Sequence, residues 1–222
     1  MKHEKQEHIQ YADFLGDSNI GLFGVATDKY VVLPEAGIRV EMLSKKVVHT
    51  TIAGTKLCGI FLAGNSHGLL VPWTITDREL AVLKKGLRGI NICVIDAKHT
   101  ALGNLILCND KGAIISPLLH SHAGAISKCL NVPVQESEIM DMNIVGAVCT
   151  ATNKGFLLDM YATEADFNMV RHALKVEGDI GTVNFGSEFV KSGVLANSKA
   201  VLIGSKTTGP EVARIDEALG FL

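Results

Sequence analysis

Gly64-Asn65-Ser66-His67-Gly68-Leu69-Leu70-Val71-Pro72 is one of five versions of a single pattern that recurs along the chain. With His67 as anchor, Lys29, Lys111, Lys154 and Lys199 hold the same place. Each anchor leads into an apolar run: Val31-Val32-Leu33, Leu69-Leu70-Val71, Ala113-Ile114-Ile115, Phe156-Leu157-Leu158 and Val201-Leu202-Ile203. The anchors lie 38, 44, 43 and 45 residues apart, and a fixed period of that size marks a repeat architecture. Gly21, Gly59, Gly103 and Gly146 stand eight residues before the first four anchors, whereas Gly193 stands six before the fifth, which predicts a tighter loop there. A glycine, an apolar stretch, a polar Asn/Asp/Lys/Gly turn and a second apolar stretch read as a β-hairpin, since Asn and Gly tolerate the backbone of a tight turn.

A helix is expected after each hairpin. Thr76, Thr163 and Thr208 each fall nine residues past their anchors and are followed by Glu79, by Glu164 and Asp166, and by Glu211. This is the pattern of an N-cap hydroxyl with carboxylates in the first turn. The triplets Leu80-Leu83-Leu87, Phe167-Val170-Leu174 and Val212-Ile215-Leu219 then form one apolar stripe each. The first repeat offers Val40-Leu43-Val47 at that spacing, and the third is displaced by about a residue, with Ser121 as cap before Ile126, Cys129 and Leu130. Strand-like segments precede the hairpins at 47–52, 90–95, 132–134 and 180–185. The expected unit is therefore strand, hairpin and helix. One such unit cannot bury its own apolar face. Five closing in a ring, strands inside and helices outside, would do so. An open stack is the rival, but its terminal repeats are usually atypical, and the fifth repeat here is well formed.

Of the 222 residues, 47% are hydrophobic and the formal net charge is −2. A near-neutral chain is not a generic nucleic-acid binder, which needs clustered Lys and Arg to neutralise phosphates. Cys58, Cys93, Cys108, Cys129 and Cys149 are odd in number, lie in apolar runs and include no CxxC. They read as free thiols of a cytoplasmic protein. No signal peptide and no run long enough to span a membrane is present. Residues 1–12 read as an N-terminal extension and 13–222 as a single domain.

Candidate chemical sites are sparse. The glycine-rich 64–68 segment lacks the Lys-Ser/Thr ending of a phosphate loop. His120, His122 and Cys129 are metal-ligand types without a second pair at a useful spacing. His49 and His67 have no identifiable acid/base partner, so no cofactor or metal is expected. Asn65, Asn109, Asn153 and Asn197 stand just before the turns. They are either turn chemistry or a ring of exposed amides at one end, available to a partner.

Several blocks closely resemble the archaeal and eukaryotic translation initiation factor 6 family. They are Val47-Val48-His49 with Ile52-Ala53-Gly54, Gly64-Asn65-x-His67-Gly68-Leu69-Leu70-Val71-Pro72, Thr76-Asp77-x-Glu79-Leu80, Ala101-Leu102-Gly103-Asn104, Cys108-Asn109-Asp110 and Gly181-Thr182-Val183-Asn184-x-Gly186-Ser187-Glu188. The chain ends at Leu222, without the C-terminal tail of eukaryotic members, and so looks like the archaeal form. The resemblance implies the α/β pentein fold, a five-fold pseudosymmetric propeller. It implies binding to the large ribosomal subunit that blocks joining of the small one, with a role in large-subunit maturation in eukaryotic members. The implied partner is mainly a ribosomal protein near the sarcin–ricin loop, with limited rRNA contact. One flat end of the ring would make this contact, through positions matched by Asn104 and Ile60; eukaryotic members often carry a basic residue where Ile60 stands. Guanidine-modifying enzymes share the fold and use a cysteine nucleophile in the last repeat, but the last cysteine here is Cys149, in the fourth. A scaffold for another partner is the third reading. A monomer is expected, because a closed ring has few free sheet edges.

Overall fold

The computed structural model describes residues 8–35 and 37–222. The chain opens with β1 (Ile9–Ala12), followed by β2 (Val25–Ala26), β3 (Val31–Leu33) and β4 (Val47–His49). The second unit holds α1 (Cys58–Phe61), β5 (Ala63–Gly64), β6 (Gly68–Pro72), α2 (Asp77–Gly86) and β7 (Asn91–Ile95). The third holds α3 (Leu102–Leu105), β8 (Ile106–Cys108), β9 (Ala113–Ile115), α4 (Ala123–Leu130) and β10 (Val134–Glu136). The fourth has β11 (Cys149–Ala151), β12 (Gly155–Asp159), α5 (Glu164–Leu174) and β13 (Glu177–Gly181). The fifth has β14 (Val194–Ala196), β15 (Val201–Gly204) and α6 (Gly209–Ala218).

All five predicted hairpins are present and antiparallel. Each is completed to a three-stranded sheet by one parallel strand: β2-β3-β4, β5-β6-β7, β8-β9-β10, β11-β12-β13 and β14-β15-β1. The segments expected ahead of each hairpin therefore belong to the preceding unit's sheet. A parallel neighbour requires a crossover, and in most units the helix supplies it. The fifth sheet takes its third strand from the other end of the chain, with Ile9 opposite Val201 and Ala12 opposite Gly204. Residues 9–12 are thus part of the last sheet rather than an extension; residues 1–7 lie outside the described residues. No sheet closes on itself among the described residues.

Helices α2, α5 and α6 start at the predicted threonines. Thr76 Oγ1 accepts from Glu79 N–H while Thr76 N–H donates to Glu79 Oε2, and Thr163 with Asp166 and Thr208 with Glu211 form the same box. In the third unit Ser116, not Ser121, caps a 3₁₀ turn (Pro117–His122) that runs into α4. The helix predicted around Val40-Leu43-Val47 is absent: 38–46 is turns, although Val40 and Leu43 are buried. The connection from β3 to β4 is shorter than that from β6 to β7, leaving no room for a helix and two loops.

Each hydrophobic cluster is shared between neighbouring units. Val25, Tyr30 and Val32 of the first pack with Leu69, Leu83 and Leu87 of the second. Phe14, Ile20 and Leu33 pack with Leu195 and Leu202 of the fifth. Close approach is enforced by glycine: a β-carbon on Gly59 would collide with Gly21 O, one on Gly103 with Gly59 O, and one on Gly146 with Gly103 O. A β-carbon on Gly21 would meet Lys191 O. Lys191, eight residues before Lys199, is therefore the fifth member of this series. Gly193, the expected member, packs instead against Val183.

Candidate docking surfaces

At the hairpin-turn end, burial decides for turn chemistry and against a ring of exposed amides: Asn65, Asn109 and Asn197 are 2%, 4% and 3% exposed. Asn65 Nδ2 donates to Asn109 O and to Leu130 O at the end of α4, while its Oδ1 accepts from the His67 and Gly68 amides. Asn109 repeats this with Thr152 O, Leu174 O, Lys111 N and Gly112 N, and Asn197 with Thr27 O, Leu43 O, Lys199 N and Ala200 N. Each amide thus shapes its own turn and satisfies two carbonyls of the next unit, and for Asn65 and Asn109 one of these, Leu130 O or Leu174 O, belongs to a helix end that would otherwise leave it unpaired. Thr27 and Thr152 hold this place in the first and fourth units. Asn153 is one residue out of step and belongs to an outer series. There the Ser66 amide donates to Asp110, Asp110 N–H to Asn153, Asn153 N–H to Ser198 and Ser198 N–H to Asp28. Asn153 Nδ2 also bridges Asp28 and Asp110, at 2.8 and 2.7 Å.

At the opposite end, Ile60 and Asn104 each follow a crossing glycine and are half-buried. Asn104 O accepts from Gly146 N–H at 2.8 Å, fixing α3 against the fourth unit. Asn104 lines a depression of about 400 Å³ with Leu22, Ile144, Ala147, Phe189 and Ser192. Ile60 is not among its walls. Phe189 is 46% exposed, an apolar edge that the repeat pattern gave no means of finding. The four candidate residues therefore divide: Asn104 and Ile60 at one end, Asn65 and Asn109 buried at the other.

Between the ends lies a cavity of about 80 Å³ lined by residues of all five units. Lys191 enters it, its Nζ donating to Gly103 O. Burial pushes the Lys191 ammonium down to about 8, because a low-dielectric enclosure disfavours the charged form. Burial pushes the neighbouring Cys108 thiol up to about 12, Cys58 likewise, and Cys149 further still. All three stay protonated at neutral pH, the wrong form for a nucleophile. The remaining two cysteines correct the free-thiol expectation: Cys93 on β7 and Cys129 on α4, with Cα atoms 6.2 Å apart, form a disulfide. Only the packing of α4 across β6 and β7 brings them together. His120 pairs with Glu136 and His122 with Asp96 O, so they do not converge with Cys129 on a metal position.

Glu79, Asp166 and Glu211 have a second role that the capping pattern alone did not reveal. Glu79 also accepts from Thr51 Oγ1 and the Ala53 and Gly54 amides of a tight turn. Glu211 does the same for Thr182, Phe185 and Gly186, and Asp166 for Met140. Burial raises these carboxyls, but the converging donors outweigh it and hold all three below their ordinary values.

Residues 9–218 match the eIF-6 family. The chain belongs to that family. Translation initiation factor 6 of Thermococcus onnurineus is 38% identical to it, over 97% of this chain and 99% of the relative. The Saccharolobus islandicus factor is 38% identical, over 96% and 99%, and the Pyrococcus horikoshii factor 37%, over 97% and 100%. These relatives are archaeal translation factors and not enzymes. As a member of the eIF-6 family, the chain matches in the region that carries all five hairpins.

Proposed function

We propose that this protein binds the large ribosomal subunit and sterically prevents it from joining the small one. The observation that carries this is membership of the eIF-6 family over residues 9–218. The end of the molecule bearing Asn104 supports it, being a half-buried depression with an apolar edge. Such a surface suits protein docking, with a ribosomal protein near the sarcin–ricin loop as the main contact and rRNA a lesser one. In this reading the five units close into a ring that acts as one rigid body, monomeric and cytoplasmic. Sharing of core between the first and fifth units, and the β1–β15 pairing, support closure. Exclusion then needs no chemistry: a body covering a standard interface of about 1,600 Å² blocks whatever else requires that surface. A role in large-subunit maturation is consistent with the same contact.

Sedimentation of the purified protein with separated archaeal subunits tests the reading. Co-migration with the large subunit alone, with fewer joined ribosomes, is the expected result. A protein that stays at the top of the gradient and leaves joining unchanged would overturn it.

A further inference from the structure

The overall charge of −2 conceals a local concentration of cations at the hairpin-turn end, away from Asn104. Lys29, Lys45, Lys46 and Lys199 line one surface depression where the first and fifth units meet. Lys46 Nζ donates to Arg88 O, joining that group to the end of α2, where Lys84 and Lys85 stand in the last turn. Lys199 Nζ is held on Asp28 O at 2.9 Å. All of these cations are exposed. None has a carboxylate within ion-pair distance among the described residues. The acidic residues of the depression are Glu41 and Asp28, and the Asp28 carboxylate is occupied by the Ser198 amide and the Asn153 side chain.

We propose that this basic surface binds the phosphate backbone of RNA, as a second contact face independent of the Asn104 end. Lysines left without counter-charges, two of them held on backbone carbonyls, displace the cations condensed on RNA when they neutralise its phosphates, and that release drives association without base recognition. The surface is also discontinuous in sequence, so composition averages it away.

The test is fluorescence anisotropy with a short labelled RNA hairpin of mixed sequence, across a salt series. Three proteins are compared: the natural chain, Lys45→Glu with Lys46→Glu, and the charge-matched control Lys98→Glu with Lys206→Glu at the far ends of β7 and β15. Thermal melts establish that each is folded. Binding with a log–log salt slope of roughly −4, weakened about tenfold or more by the patch variant and less than about twofold by the control, supports the proposal. Absence of RNA binding, or equal loss in both variants, overturns it. Capture of poly-glutamate in place of RNA would assign the surface to an acidic protein and overturn it as well.

Discussion

Lys191, from the fifth unit, donates its ammonium to the carbonyl of Gly103 in the third, across a cavity that all five units line. Four units present glycine where Lys191 stands, so this one side chain occupies a space the others leave open. The unfolded chain's lysine titrates near 10.4, whereas Lys191 is held near 8. Between those values the unfolded state keeps a proton the folded state has released, so stability rises with pH in that window. Melting temperatures of the natural protein and Lys191→Met, compared from pH 7 to 10, are expected to move in favour of the natural protein. A gap that stays constant would mean the ammonium is not enclosed.

Asn104→Arg places a long cation in the depression where Asn104 meets Leu22, Ile144 and Phe189. Binding to the large subunit is expected to weaken about tenfold or more, with the melting temperature nearly unchanged. Full affinity in a folded variant would remove Asn104 from the interface.

Glu79→Gln keeps shape but removes the charge that receives the Thr51 hydroxyl and the Thr76, Ala53 and Gly54 amides. The loss expected in urea unfolding is about 2 kcal/mol at pH 7. Because the folded carboxyl is held below its ordinary value, the advantage of Glu79 is present at neutral pH. It fades as pH falls below about 4. A deficit independent of pH would show that the charge is not what matters.

Asn109→Ala strands two carbonyls and two amides in a buried turn, at a cost of about 3 kcal/mol. Asn109→Thr is expected to be milder, about 1 kcal/mol, because Thr152 and Thr27 shape the equivalent turns. Chemical denaturation ranks them. Equal damage by both would mean that the threonine solution does not transfer between units.

The Cys93–Cys129 disulfide joins residues 36 apart. Its reduction should lower stability by about 3–4 kcal/mol if loop entropy dominates. Thiol titration of the unfolded, unreduced protein is expected to find the three free cysteines, Cys58, Cys108 and Cys149. Five titrating thiols would mean that Cys93 and Cys129 are free as well.

The repeat is legible along the chain. Its period, the turn residues around His67 and the threonine caps of α2, α5 and α6 are local facts, set by backbone conformations and hydrogen bonds a few residues apart. The blocks around Asn65 and Asn104 likewise pointed to the family without any coordinates. What lies between units follows from how the units pack. That packing placed β1 in the last sheet and assigned the fifth glycine position to Lys191. It turned Asn65 and Asn109 inward onto carbonyls far along the chain, joined Cys93 to Cys129, and gathered Lys45, Lys46, Arg88 and Lys199 onto one face. Each of these depends on which segments become neighbours when shared clusters bury the apolar faces that no unit can cover alone. Spacing along the chain carries no record of that choice.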